Sequence, residues 1–267
     1  MLDRSRVVDG RGFCQRARLL GYHVGPTGYG LAMKGTKLPL MTGIAGHDGL
    51  APILQWCSEH DAEILQALTT TTLEAGETLL PVPTGVVRAA VQAAQQKYAQ
   101  VVAARGFAYL GVDEEQQQVL REQNYLIEGL IWAWCLEVLP ETLRRCRIVE
   151  VEHDDTYVFD CSCGLGDGIG SKADHEARDC QGKGLMCRPD FLALTRLTNE
   201  LEYHEFKTTG MDAPTFRDKW EVMIQMFAAT LDAERRLQRE VQNIYIHGLI
   251  KGKREGDYNP ETGKRDG

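Results

Sequence analysis

Two short apolar runs joined by a polar link constrain this chain more than any other feature of its 267 residues. Arg188-Pro189-Asp190-Phe191-Leu192-Ala193-Leu194 and Leu201-Glu202-Tyr203-His204-Glu205-Phe206-Lys207-Thr208 are each of strand length, and Thr195 to Glu200 between them is short enough for a hairpin. Strand side chains alternate with period two, so Tyr203, Glu205 and Lys207 share one face. A turn at Leu197-Thr198 sets Asp190 directly opposite Glu205, and a turn at Thr198-Asn199 sets it opposite Lys207. Either even-length turn gathers all three on one face, with opposed Cβ atoms about 5 Å apart. Phe191, Leu192, Leu194 and Phe206 mark both strands as buried, where charges need a reason.

Two carboxylates that close repel when ionised, and a hard divalent cation is the natural relief. Asp190 and Glu205 are therefore candidate ligands of Mg²⁺ or Mn²⁺. Such an ion polarises a phosphate oxygen and acidifies water, while Lys207 beside it orients the nucleophile or stabilises developing negative charge. Phosphodiester hydrolysis needs those three parts. An Asp and a Glu-x-Lys pair alone are common on exposed hairpins, so the apolar neighbours carry much of the argument.

The rest of the chain divides near Arg147. Before it, apolar spacing predicts helices over Leu50 to Leu68 with a break near Ser58 to Asp61, over Val86 to Ala104 behind Pro83, and over Glu114 to Leu139, ended by Pro140. After it, Ile148 to Glu152 and Thr156 to Phe159 read as strands, then a Gly- and Cys-rich insertion (161–187), the two runs above, a helix from Pro214 to about Arg236 and a strand from Val241 to Leu249. The expected organisation is an irregular segment 1–40, one domain over 41–250 and a polar tail 251–267. That tail fits a disordered terminus or a truncated longer protein equally. The class is α/β (α+β): a mixed sheet flanked by helices, with a helical N-terminal half.

Composition excludes more than it assigns. Hydrophobic residues at 43% and charged residues at 25% are ordinary for a globular protein. No apolar stretch is long enough to span a bilayer and no signal-like segment opens the chain, so a cytoplasmic protein with reduced cysteines and no membrane partner is expected. A net charge of −8 counts modestly against nucleic acid, although an enzyme needs only a local basic groove.

Arg188-Pro189-Asp190 followed by Glu205-Phe206-Lys207-Thr208-Thr209 resembles the catalytic core of the PD-(D/E)xK nuclease superfamily, more specifically its RecB-like and Cas4-like branch. In that branch an upstream G-x-x-x-H segment supplies a histidine ligand, and Gly43-Ile44-Ala45-Gly46-His47 matches it. A glutamine on the helix after the lysine strand is also typical, and Gln225 holds that place, with Ala229 departing where an aromatic often follows. The resemblance covers about 40 to 250 loosely and 186 to 230 well. It implies a restriction-endonuclease-like fold, a catalytic ion on His47, Asp190 and Glu205, and catalytic roles for Asp190, Glu205, Lys207 and Gln225. The implied activity is a deoxyribonuclease, exonuclease rather than restriction endonuclease, acting on double-stranded ends or single strands of DNA in phage or bacterial recombination or repair.

Three further carboxylates bear on this site. Glu128, among apolar residues mid-helix, fits a helix-face boundary better than a ligand, and Glu150 and Glu152 fit a site lining or a solvated edge equally. In the insertion, Cys161, Cys163, Cys180 and Cys187, with His175 nearby, would suit Zn²⁺, since so polar a loop has little else to offset its ordering entropy; scattered reduced cysteines in a substrate loop fit equally well, and the resemblance adds an iron–sulfur cluster as an alternative. In the family's iron–sulfur members the cysteines flank the nuclease core on both sides, whereas none follows Cys187 here. Two other functions compete with the nuclease: a non-catalytic binding module on the same fold, and a zinc-stabilised nucleic-acid adaptor.

Overall fold

In the computed structural model, residues 38–70, 79–104, 114–153, 155–167, 170, 172–180, 182–209 and 224–250 are described, with the short pairs 258–259 and 264–265. The segment 1–37, residues 210–223 with the first part of the helix expected from Pro214, and most of the tail lie outside them. The helical half contains α1 (Leu38–Glu59), α2 (Asp61–Thr70), α3 (Thr84–Ala104), α4 (Glu114–Ala133) and α5 (Leu139–Arg145). The break between α1 and α2 falls within the expected Ser58 to Asp61 window, but α1 begins a dozen residues earlier than its apolar spacing indicates.

Pro140 does not end the helical run. Between α4 and α5 the chain widens into a π turn, Trp134–Val138, in which the Leu139 N–H reaches the Trp134 carbonyl. A proline ring clashes with the carbonyl four residues before it and offers no N–H, so a wider turn relieves it and puts Pro140 in the first turn of α5, where a missing donor costs nothing.

The strand half comprises β1 (Cys146–Val151), β2 (Asp155–Phe159), a short α6 (Lys172–Glu176), β3 (Lys183–Cys187), β4 (Phe191–Thr195), β5 (Leu201–Thr209), α7 (Ile224–Leu237) and β6 (Val241–Ile250). The main sheet is mixed, in the order β1-β4-β5-β6, with β5 and β6 parallel and the other pairs antiparallel. β2 and β3 form a separate hairpin, and the β3 strand inside the insertion has no counterpart in the periodicity. Tyr258–Asn259 and Lys264–Arg265 pair as a minimal ladder.

The central strands β4 and β5 are covered on both faces, which is why they read as nearly continuous apolar runs. Phe191, Ala193 and Phe206 face a core built by α1, α3, α4 and the π turn, with Trp134, Ile131 and Leu143 fully buried. Leu192, Leu194 and Tyr203 face a smaller core under Ala228, Ala229 and Ala233 of α7. No helix among the described residues is long and apolar enough to cross a membrane.

A polar strip runs through the larger core. Arg145 pairs with the buried Glu202 and stacks its guanidinium 4.3 Å over the Tyr245 ring. His204 Nε2 lies 3.3 Å from Glu202, and its Nδ1 lies 2.9 Å from His247 Nε2. A carboxylate at one end fixes the tautomers: His204 donates to Glu202 through Nε2 and accepts from His247 through Nδ1, so both rings are neutral. Cys146, adjacent to this strip, donates its thiol to the Thr142 carbonyl at 3.0 Å.

Two outcomes follow from this packing. A Cβ on Gly49 would meet Ile131 Cδ1 at 2.6 Å and Ala94 Cβ at 2.8 Å, whereas one on Gly129 would meet nothing within 4 Å. Gly49→Val therefore lowers unfolding stability in urea by about 1–3 kcal/mol, and Gly129→Ala raises it by up to about 1 kcal/mol. Acid supplies the second. Burial, then the neighbouring His204, holds His247 down to about 3, and burial also lowers His204. Because both imidazoles take up protons less readily folded than unfolded, their stability is full above the ordinary 6.5 and is lost as pH falls below it. Between about pH 7.5 and about pH 5 the loss from His247 is about 1–2 kcal/mol. An acid limb equally steep in His247→Leu would rule out the neutral pair.

Candidate functional site

Observed pairing sets Phe191 against His204 and Leu192 against Tyr203, which is the register of a turn at Leu197-Thr198. Continued one step, it puts Asp190 across from Glu205; a second step sets Pro189 across from Phe206. Proline cannot extend the ladder, and β4 starts only at Phe191. The Phe206 N–H left over is taken by the Asp190 side chain, whose Oδ2 accepts it.

The other oxygen of Asp190 points to the helical half. His47 on α1 donates its Nδ1–H to Asp190 Oδ1 at 2.7 Å, across 143 residues of sequence. Glycine makes this approach possible: a Cβ on Gly43 would sit 2.8 Å from Thr208 Oγ1, so α1 lies directly on the end of β5 at that position. His47 also meets Phe206 edge-on, with ring centroids 6.1 Å apart.

Glu205, 4% exposed, has both oxygens engaged: Lys207 Nζ binds Oε1, and the Tyr203 hydroxyl donates to Oε2 at 2.8 Å. Burial, then the Asp190 charge, raises the Glu205 carboxyl above its ordinary value, and Lys207 and Tyr203 pull it back only in part. Burial and the Glu205 charge raise the Tyr203 phenol far above its usual range, which keeps it a donor. At His47 burial works against the charged ring, but the Asp190 hydrogen bond and charge outweigh it, and the imidazole pKa is raised. Asp190, Glu205, Lys207 and His47 thus form one electrostatic unit, although His47, Asp190 and Glu205 are not among the described groups whose ligand atoms gather within 4.8 Å.

Other carboxylates separate clearly. Glu152, beside Asp190 and Asp48, binds Arg188 at 2.6 Å, and burial raises its carboxyl above the ordinary value. Together with Asp48, Gln55, Gln96 and Lys97 it lines an open cleft of about 600 Å³ between α1 and α3. Glu150 instead binds Arg236 of α7, 2.7 Å from its Nη2, and Glu128 accepts from Gln95 on α3 at 3.4 Å. Gln225 lies on α7, but its side chain falls outside the described residues. Tyr203 was legible as a same-face neighbour of Glu205; nothing in the sequence marked its hydroxyl as Glu205's second partner.

A second constellation lies in the insertion. Cys161, Cys163, Cys180 and His175 bring three sulfurs and a ring nitrogen within 4.8 Å of one another, a Cys₃His group able to hold a metal ion. Cys187 does not join it, contrary to expectation. It ends β3 opposite Asp155 and is buried at 1% exposure against Leu192 and Tyr203 in the smaller core, so packing claims its thiol. His175 takes the fourth place. Cys57 is likewise enclosed in the helical core, where burial, then Cys135, pushes its thiol up.

The chain matches no protein-family model and no curated protein.

Removing the Asp190 charge tests the unit without any catalytic assay. In Asp190→Asn the carboxylate charge that raises His47 is gone and burial remains, so its imidazole titrates below the ordinary 6.5 instead of above it. Titration of the ring by NMR reads this directly; an unmoved pKa would contradict the pairing.

Proposed function

We propose that this chain is a metal-dependent nuclease of the PD-(D/E)xK kind, RecB-like in type, that hydrolyses phosphodiester bonds in DNA with Mg²⁺ or Mn²⁺. The observation that carries the reading is the junction at Asp190, where a histidine from α1 meets the carboxylate that faces Glu205 and Lys207 on β5. Such a convergence of a distant helix on one hairpin has no structural requirement that apolar residues would not meet at lower cost.

The donor set suits a hard ion. Asp190 and Glu205 are buried carboxylates close enough that the charge of the first raises the second, and a divalent cation relieves that repulsion. His47, Asp190 and Glu205 would hold it, and the imidazole favours Mn²⁺ over Mg²⁺. When bound, the ion supplies the Lewis acidity that polarises a phosphate oxygen and makes water acidic enough to attack.

The chain's own groups do the rest. The Phe206 N–H anchors Asp190 Oδ2 and thereby orients Oδ1, and the Tyr203 hydroxyl does the same for Glu205. Lys207 brings a positive charge to the point where charge builds on the scissile phosphate. The cleft between α1 and α3 is lined by Glu152, whose carboxyl feels the Asp190 charge, with glutamine amides and Lys97 along its wall, donors suited to a sugar–phosphate backbone. DNA ends or single strands are the proposed substrates, with the chain working in recombination or repair in the cytoplasm.

Cleavage of linear double- and single-stranded DNA with Mn²⁺ or Mg²⁺ tests the proposal. Asp190→Asn, Glu205→Gln and Lys207→Ala each reduce the rate by at least about 100-fold with the fold retained, and His47→Ala weakens Mn²⁺-supported activity most. Near-normal turnover in any of the first three removes its assigned role. DNA binding without cleavage in the wild type would favour a non-catalytic or zinc-stabilised binding module instead.

A further inference from the structure

The insertion lacks the means to hold itself together. Between Asp160 and Gly182 its apolar residues are Leu165, Ile169, Ala173 and Ala177, too few for a core. Its backbone nevertheless takes costly conformations, with φ of 57° at Asp160 and 52° at Asp179, each directly beside a cysteine. Something specific must stabilise this arrangement.

The four donor atoms have the spacing of a tetrahedron around one ion. Zinc bonds of about 2.3 Å to sulfur and about 2.0 Å to nitrogen at tetrahedral angles put sulfurs about 3.8 Å apart and sulfur about 3.5 Å from nitrogen. The Cys161 and Cys163 sulfurs are 3.5 Å apart, and those of Cys161 and Cys180 are 3.8 Å apart. His175 Nδ1 lies 3.7 Å from the first and 3.5 Å from the second. A disulfide needs its sulfurs about 2.05 Å apart, and a multi-iron cluster needs its ligands spread around several metal atoms, so neither fits.

The surrounding backbone is arranged for thiolates. The Gly182 N–H points at Cys180 Sγ at 3.4 Å, and a Cβ on Gly182 would meet Val158 Cγ1 at 2.9 Å and that same sulfur at 3.2 Å. Cys180 N–H closes on the His175 carbonyl at 3.0 Å, which ties two ligands into one turn. The Asp167 carboxylate accepts from the Cys161 N–H at 2.8 Å and fixes the first ligand.

We propose that Cys161, Cys163, His175 and Cys180 form a closed structural Zn²⁺ site that fastens the end of the β2–β3 hairpin. Three thiols give up their protons to solvent on binding, His175 binds as neutral imidazole, and the site carries one net negative charge. With four protein ligands it leaves no open position for chemistry. The fastened hairpin packs Tyr157, Phe159 and Cys187 against α7, and Arg235 of α7 donates to the Gly170 carbonyl at 2.6 Å. Zinc thereby holds in place the layer that covers the Tyr203 face of β5.

This site is independent of the nuclease reading, and the experiment keeps the two apart. The full chain, purified under reductant without chelator, carries one zinc per chain by elemental analysis. The Asp190→Asn/Glu205→Gln double variant keeps it, and Cys163→Ser or His175→Ala loses it. If those two variants fail to fold, the wild type replaced with Co²⁺ decides the question: an intense visible ligand-field band with thiolate-to-cobalt charge transfer marks a tetrahedral Cys₃His site. A faint octahedral cobalt spectrum, iron in place of zinc, a metal-free Cys161–Cys163 disulfide, or zinc lost only from the carboxylate double variant would each overturn the proposal. Failure to cleave DNA would not touch it.

Discussion

One carboxylate joins the two halves of this molecule. Asp190 is 7% exposed, yet it spends one oxygen on the Phe206 N–H of β5 and the other on His47 of α1. Its position follows from Pro189, which cannot continue the ladder, so a side chain takes the place of a backbone partner at the end of β4. A buried carboxylate left short of partners costs several kcal/mol, which makes this contact a strong selector of how the helical half docks. The small residue Gly43 is the complementary condition, because a Cβ there would press on Thr208 Oγ1 at 2.8 Å where α1 descends onto β5.

The two faces of β5 show opposite electrostatic economies. Glu202 and His204 look toward the larger core and are matched: Arg145 neutralises Glu202, and two neutral imidazoles complete a chain of hydrogen bonds. Tyr203, Glu205 and Lys207 look the other way, and there Lys207 and Tyr203 offset burial and the Asp190 charge only in part. Both faces are buried, so desolvation alone does not explain the contrast. The difference is a second carboxylate opposite Glu205, a placement that stability does not call for and that metal-dependent chemistry would use.

What the sequence revealed was whatever is governed by local periodicity. Period-two alternation fixed which side chains of β5 share a face, and the short link left only two even registers, of which the Leu197-Thr198 turn occurs. The α1–α2 break was legible from the polar run before Asp61. Spacing says nothing about direction, however, and there the reading failed: Cys187 sits as close in sequence to Cys180 as many true ligands do, yet strand β3 turns it into a core while α6 turns His175 toward the sulfurs. Pro140 misled for a related reason. A proline forbids one hydrogen bond, and a π turn satisfies that prohibition without ending the helix. β3 was hidden because Lys183-Gly184-Leu185-Met186-Cys187 has neither β-branched residues nor clean alternation.

Two proposed metal groups in one chain raise a problem of selectivity that the architecture addresses. Zinc binds most mixed nitrogen and oxygen sites more tightly than Mn²⁺ or Mg²⁺ does, so geometry and ligand type must do the sorting. The Cys₃His group offers soft thiols gathered within 4.8 Å, whereas Asp190 and Glu205 offer hard oxygens beside the His47 imidazole, less tightly gathered and guarded by the Lys207 charge. The hairpin also separates them: Asp155 and Cys187 stand at the end nearest Asp190, and Phe159 and Lys183 stand at the end that leads into the cysteines. Five strand residues span roughly 15 Å, beyond the screening length of physiological salt, so an ion at one group exerts little pull on an ion at the other. A closed thiolate site that binds zinc firmly and an oxygen site left to the harder ions can then coexist, each selected by its own donors.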